Sequence, residues 1–317
     1  MKARIFVPLL LISITSCSQS ASPLVDKIFC FDSMIETKLY EEDKDNLNDL
    51  KDIFNKLDKL TDNYQARGVN NIFTINNTHE DVTIDKDLYD LLKLSFEFNN
   101  TVSNYFNPLC GSLSKKWKES LKNLQILPEN IKNEELFKIS SSSLLFKDNC
   151  TVQRIGEAEI DLGGIAKGYA LDKAYEYLSG KETKHYLIDG GRSSILLGEK
   201  KSKDGLFTVG VNDVSGAFLK LKNCFISTSG LSVQGVEIDG VKYSHIINPL
   251  DGSAINKHDA VIVISDKGYF GDALSTSLML NTIEEIKEME KVHNVKTIVV
   301  DNKKVSYCHD DIEVFYR

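Results

Sequence analysis

The chain has 317 residues, of which 46 are acidic and 38 basic, giving a formal net charge of −8, and 42% are apolar. That apolar share fits an ordinary globular protein with a sizeable core, as one large domain or two intimate ones. The excess of acid over base argues against a general nucleic-acid binder, which presents Lys and Arg in excess on one face.

At the N-terminus, Lys2 and Arg4 precede an apolar run from Ile5 to Ile14. The run is too short to span a bilayer but suits the core of a signal peptide. It ends in Ile14-Thr15-Ser16-Cys17, a relaxed lipoprotein box. Residues 1–17 are therefore expected to be a signal peptide, with Cys17 as the lipidated N-terminus of an exported, membrane-anchored protein facing the periplasm or cell exterior. A plain signal peptide cut near Ala21 is the alternative. Residues 18–27 are expected to be a tether, and residues 28–317 the folded domain.

That domain opens with a strand over Phe29 to Tyr40. Leu47, Leu50, Ile53, Phe54, Leu57 and Leu60 recur at helical steps, as do Leu88, Leu91, Leu92, Ser95 and Phe98, and then Leu113, Trp117, Leu121 and Leu124. These stripes predict three helices with core-facing sides. Glu129 to Asn149, polar and Ser-rich, reads as a surface excursion. After Tyr186 short β-rich runs dominate, at His185 to Ile188, Ser194 to Leu197, Phe207 to Val211, Phe225 to Ser227, Val233 to Ile238 and Ala260 to Ile264. A helix through Asp272 and Thr276, another over Ile283 to Val292, and strands at Thr297 to Val300 and Glu313 to Tyr316 complete the chain. Helices followed by strands predict an α+β fold, with helices in the N-terminal half and a β-rich C-terminal half.

Without Cys17, the cysteines are Cys30, Cys110, Cys150, Cys224 and Cys308, an odd number with no C-x-x-C pair. Neither a disulfide framework nor a zinc site is indicated.

Chemistry concentrates in three segments. In Asp161-Leu162-Gly163-Gly164-Ile165-Ala166-Lys167-Gly168-Tyr169-Ala170, glycines opening a helix expose backbone N–H groups to which a phosphate can bind. Lys167 can neutralise negative charge, and Asp161 can cap the helix or accept a ligand hydrogen bond. The spacing is neither a P-loop nor a dinucleotide fingerprint. In Gly271-Asp272-Ala273-Leu274-Ser275-Thr276 a carboxylate and a hydroxyl four residues apart share a helix face. Hard oxygen ligands of that kind suit Mg²⁺, and helix capping is the plainer alternative. In Tyr243-Ser244-His245-Ile246-Ile247-Asn248-Pro249 an imidazole able to take a proton near neutral pH stands just before a turn.

In this order the three segments resemble the flavin transferase (ApbE) family, whose patterns read D-L-G-G-I-A-K-G-Y-A, Y-S-H-I-I-[DN]-P and A-D-A-x-x-T. The likeness extends more weakly from Phe31 to the C-terminus. Phe31-Asp32-Ser33, Asn107 to Leu113, Gly190 to Ile195 and Ser227 to Gly230 also resemble family segments. Tyr64 stands where many members place an aromatic residue against the flavin ring, core packing being the other reading. The chain departs from the pattern at Leu231-Ser232-Val233, where members continue with a Tyr-Glu-Arg-like sequence.

The resemblance implies an FAD:protein FMN transferase with the flavin nucleotide in a cleft between subdomains. It implies Phe31, Tyr64, Leu109, Cys110, Gly111, Asp161, Lys167 and Ile246 around FAD; Asp272, Thr276 and the Gly164 carbonyl around Mg²⁺; and His245 as the base. It further implies acceptor threonines in membrane redox complexes of the sodium-pumping NADH:quinone reductase and Rnf types. Mg²⁺-dependent hydrolysis of FAD to FMN and AMP uses the same residues, and a flavin-binding lipoprotein without turnover is a third reading.

Overall fold

A computed structural model describes residues 22–40, 44–230, 235–254 and 257–317. Cys17, the signal segment, the start of the tether and Leu231-Ser232-Val233 lie outside the described residues. In chain order come the hairpin β1 (Leu24–Cys30) and β2 (Ser33–Leu39), helices α1 (Lys44–Thr61) and α2 (Ile72–Asn76), and the short β3 (Val82–Thr83). Helices α3 (Lys86–Thr101), α4 (Gly111–Lys122) and α5 (Glu129–Ser140), strands β4 (Ser143–Lys147) and β5 (Thr151–Ile155), and helix α6 (Ala166–Gly180) follow. Next are β6 (Tyr186–Gly190), β7 (Ser194–Leu197), β8 (Phe207–Gly210), β9 (Ala217–Leu221), β10 (Cys224–Gly230), β11 (Val236–Ile238), β12 (Val241–Tyr243) and β13 (Ala260–Ser265). The chain ends with α7 (Gly268–Leu278), α8 (Ile283–His293), β14 (Lys296–Asp301), β15 (Lys304–Cys308) and β16 (Phe315–Tyr316).

The expected α+β fold is what forms. An eight-stranded sheet, ordered β1-β2-β6-β7-β10-β13-β14-β15 with antiparallel neighbours, is its spine. Strand β13 is buried along its whole length because alternate side chains serve two cores. Val261 and Val263 join the large core with the helices, while Ala260, Ile262 and Ile264 join a second core with residues of the three-stranded sheet β16-β9-β8. A sheet covered on both faces needs such continuous apolar strands.

Four expectations are corrected. The predicted strand over Phe29 to Tyr40 is a hairpin, because Phe31 and Asp32 turn with φ of 53° and 54° between the register partners Cys30 and Ser33. Two left-handed residues are what a two-residue hairpin turn requires. Its first strand starts at Leu24, so the expected tether 18–27 runs into the sheet. The Glu129 to Asn149 excursion is instead α5 followed by β4. Its helix is held by a polar cluster that an apolar stripe cannot reveal: Glu135, 1% exposed, pairs with Lys116 and Lys138. Finally, α4 stops at Lys122, and Leu124 lies beyond it with φ of 54° and 66% of its surface exposed.

Candidate active site

Helices α6 and α7 bring the first and third sequence segments together. Gly164, in the turn entering α6, faces the third turn of α7: a β-carbon on Gly164 would lie 3.3 Å from Thr276 Oγ1. Asp272 sits one turn earlier on the same face of α7 and is buried. Its carboxylate accepts hydrogen bonds from Gly168 N–H (2.7 Å), Ser227 Oγ (2.6 Å) and Ser194 Oγ (2.9 and 3.0 Å to the two oxygens). Burial pushes its pKa up to about 6, against the pull of Ser227, the Lys167 charge, Ser194 and Gly168. Thr276 Oγ1 donates to the Asp272 carbonyl at 3.0 Å and lies 3.3 Å from Ser229 Oγ.

These groups fit a hard divalent cation. An ionised carboxylate offers about four acceptor sites, and three protons from protein donors leave one lone pair for a metal. Mg²⁺ characteristically takes one or two carboxylates and completes its shell with water and substrate phosphates. The Thr276 hydroxyl would offer a further hard oxygen, and a cation there would offset the desolvation that raises the Asp272 pKa. Among the described residues no group of three or more His, Cys, Asp or Glu could hold a metal ion.

His245 lies two residues beyond the end of β12 and is half-buried. Its Nδ1 is buried and meets no hydrogen-bond partner among the described residues. Burial, with the charges of Lys118 and Lys167, pushes its pKa down to about 4, so the ring is neutral at pH 7. Lys167, in the first turn of α6, therefore acts electrostatically on both His245 and Asp272.

A continuous run of contacts leads from this centre to the other predicted residues. Asp161 Oδ1 accepts from Gly163 N–H at 2.7 Å; it closes the glycine turn rather than capping α6, whose N-cap Ile165 has no side-chain cap bond. The Asp161 N–H bonds the Pro108 carbonyl at 2.8 Å, and Gly111 N–H bonds Glu159 O at 2.9 Å. A β-carbon on Gly111 would stand 2.8 Å from that carbonyl oxygen, so only glycine lets these two chains approach. Leu109 is buried, and the Cys110 thiol is pushed up to about 12 by burial and the nearby Asp161 charge, leaving it protonated.

Lys115 bridges Glu159, at 2.8 Å, to the face of Tyr64, with Nζ 5.1 Å from the ring centroid. Tyr64 is 56% exposed, which rules out the core-packing reading. Asp62 accepts the Tyr64 N–H and pairs with Arg67, which also pairs with Asp58, and Asp58 accepts the Phe31 N–H at 2.6 Å. Ile246 stands apart. Its side chain is 5% exposed in the main core, and its N–H bonds Ser244 Oγ, so the structure gives it packing rather than a side-chain contact with a ligand.

Sequence reasoning missed Ser194 and Ser227 as partners of Asp272. They are directly opposed across β7 and β10, both aimed at α7. Both were read as ends of predicted strands, and strand alternation was the signal that could have turned them toward the helix. Gly271, where the family pattern has Ala, is also explained: a β-carbon there would fall 2.7 Å from Ser265 Oγ and 2.8 Å from Ser227 Oγ. The five cysteines among the described residues are free.

Comparison with known proteins bears on the family and the fold. The ApbE family model matches residues 31–299. An FAD:protein FMN transferase of Chlamydia pneumoniae is 24% identical over 314 residues, 95% of this chain and 98% of that protein. One from Treponema pallidum is 27% identical over 217 residues; there the alignment spans 62% of this chain and 60% of the relative's length. Among solved structures, the ApbE protein of Thermotoga maritima superimposes with a TM-score of 0.75 at 22% identity, covering 93% of this chain and 96% of that one, which supports the fold.

Proposed function

The chain belongs to the ApbE family, and from that premise we propose that it is an FAD:protein FMN transferase. In this reading it moves the FMN half of FAD onto a threonine hydroxyl of an acceptor protein. The threonine oxygen forms a phosphoester bond to the FMN phosphorus, the pyrophosphate P–O bond breaks, and AMP leaves.

The observation that carries the proposal is the approach of Gly164 to Thr276 one turn from the buried Asp272, with the Lys167 charge acting on Asp272 and on a neutral His245 whose buried Nδ1 has no partner among the described residues. Mg²⁺ held by Asp272, Thr276 and the Gly164 carbonyl would offset charge on the pyrophosphate. Lys167 and the N–H groups entering α6 orient the phosphates. His245 takes the proton from the attacking hydroxyl; a bound pyrophosphate's negative charge raises its pKa from the low value of the ligand-free site toward neutrality. Tyr64, exposed beside Lys115, would offer its ring to the flavin, with Phe31, Leu109, Cys110, Gly111 and Asp161 proposed to flank the nucleotide. Acceptors are proposed to be threonine-bearing subunits of membrane redox complexes, reached from a lipid anchor at Cys17. No helix among the described residues is long and apolar enough to cross a membrane.

The test is to incubate purified protein with FAD and Mg²⁺, with and without a candidate acceptor, and to follow acceptor mass and AMP. The expected result is one FMN added per acceptor with equimolar AMP. FMN and AMP formed without acceptor modification would point to hydrolysis, and bound FAD without turnover to a flavin-binding lipoprotein.

A further inference from the structure

The pattern G-Y-x-x-D occurs twice, as Gly168-Tyr169-Ala170-Leu171-Asp172 in α6 and as Gly268-Tyr269-Phe270-Gly271-Asp272 in α7. In space the two copies exchange hydrogen bonds. Gly168 N–H donates to Asp272 Oδ2 at 2.7 Å; in return Gly268 N–H and Tyr269 N–H donate to Asp172 Oδ1 and Oδ2 at 2.7 and 2.8 Å. The glycines permit it, for a β-carbon on Gly168 would stand 2.1 Å from Gly268 O, and one on Gly268 2.3 Å from Gly168 O. The two helices thus touch backbone to backbone, and each carries a carboxylate that receives the other's N–H groups.

Only half of this exchange belongs to the proposed cation site. Asp272 lies within it, whereas Asp172 points to the far end of the contact, at the start of α7. There, Lys267 is the N-cap residue and supplies no side-chain cap bond, so the first N–H groups of α7 depend on Asp172. Two bonds from one carboxylate fix both the height and the rotation of α7 against α6. Gly164 precedes α6, and Asp272 and Thr276 ride on α7, so the relative placement of the helices sets the distances among all three proposed ligands.

We infer that Asp172 is a positioning residue that holds α7 in the register at which Asp272 and Thr276 face Gly164. The inference rests on the cation reading of those three residues. Losing a partner that orients metal ligands typically costs 10- to 100-fold in metal affinity. Asp172→Ala is therefore expected to weaken cation binding by that factor, and Asp172→Asn, which keeps one carbonyl acceptor, to fall between it and the wild type.

The experiment titrates the FAD-free full chain with Mn²⁺ and reads free ion by electron paramagnetic resonance, with a melting curve for each variant. Thr282→Ala is the control for simple destabilisation. It removes the cap of α8, where Thr282 Oγ1 accepts from Glu285 N–H, away from the site. Losing a helix cap lowers stability, so this variant should melt lower while keeping its Mn²⁺ affinity. Asp272→Ala should lose binding. Asp172→Ala and Asp172→Asn with wild-type Mn²⁺ affinity would overturn the positioning role alone. A wild-type chain that binds no Mn²⁺, or an Asp272→Ala chain that binds it undiminished, would overturn the cation reading and this inference with it. Should Asp172→Ala fail to fold, Asp172→Asn decides by the same criterion.

Discussion

Gly168→Ala gives the most direct test of the α6–α7 junction. A new β-carbon would meet Gly268 O at 2.1 Å, Gly268 C at 2.4 Å and Tyr269 N at 2.8 Å, all backbone atoms that no rotamer change can remove. Moving from 2.1 Å to the 3.4 Å at which ordinary contact begins requires a shift of about 1.3 Å between the helices. A shift of that size also breaks the 2.7 Å bond from Gly168 N–H to Asp272. Overpacking costs about 1–3 kcal/mol and a lost bond to a charged group about 1.5–3 kcal/mol. The better helix propensity of alanine returns about 1 kcal/mol. The balance is a loss of about 1.5–5 kcal/mol, or roughly 3–20 °C in melting temperature at ~2–4 °C per kcal/mol. Because a displacement of about 1 Å in a catalytic array can cost ~10²-fold, FMN transfer by the folded fraction should fall by about that factor. Gly180→Ala is the matched control, at the end of the same helix with nothing within 4 Å of its β-carbon. It should transfer FMN at the wild-type rate and melt no lower. Differential scanning fluorimetry and single-turnover transfer at saturating FAD read both effects. A Gly168→Ala protein with wild-type melting and wild-type transfer would refute the junction as described.

Asp272→Ala should abolish Mg²⁺-dependent turnover and Thr276→Ala should weaken it, as seen in initial rates across a Mg²⁺ series; wild-type rates in both would reduce the pair to a helix cap. His245→Ala should keep FAD and transfer FMN roughly 10²–10⁴-fold more slowly, measured by single turnover, and an unchanged rate in a well-folded variant would remove the imidazole from the mechanism. With its folded pKa lowered from 6.5 to about 4, His245 contributes stability that is complete above pH 6.5 and is lost as pH falls toward 4. His245→Ala should therefore flatten that part of the profile of urea midpoint against pH. Tyr64→Ala should weaken FAD binding without lowering the melting temperature, since the ring is 56% exposed; a large thermal loss with unchanged FAD affinity would return Tyr64 to a structural role. Cys17→Ala should abolish incorporation of a labelled fatty acid, and label retained by the variant would end the lipid-anchor proposal.

The residues proposed to carry the chemistry were legible because their spacing is local. Gly163, Gly164 and Gly168 cluster within a few residues at the start of α6, and Asp272 and Thr276 share a face because a helix turns once in 3.6 residues. The main helical stripes and most of the strands of the C-terminal half were readable for the same reason, since one buried face imposes its period on the sequence. Elements held by polar partners escaped. Helix α5 is held through Glu135 and its lysines, and the turn at Phe31 and Asp32 depends in part on Asp58, 27 residues away. The surroundings of Asp272 were decided only by tertiary structure. Ser194 and Ser227 reach it from strands 78 and 45 residues away, and Gly168 meets Gly268 across a hundred residues of chain. The two G-Y-x-x-D segments stand in plain view in the sequence, yet nothing local says that they touch. That contact exists because the sheet packs α6 and α7 on one face with no side chain between them, and pairings of such sequence separation are settled by the packing of the whole core.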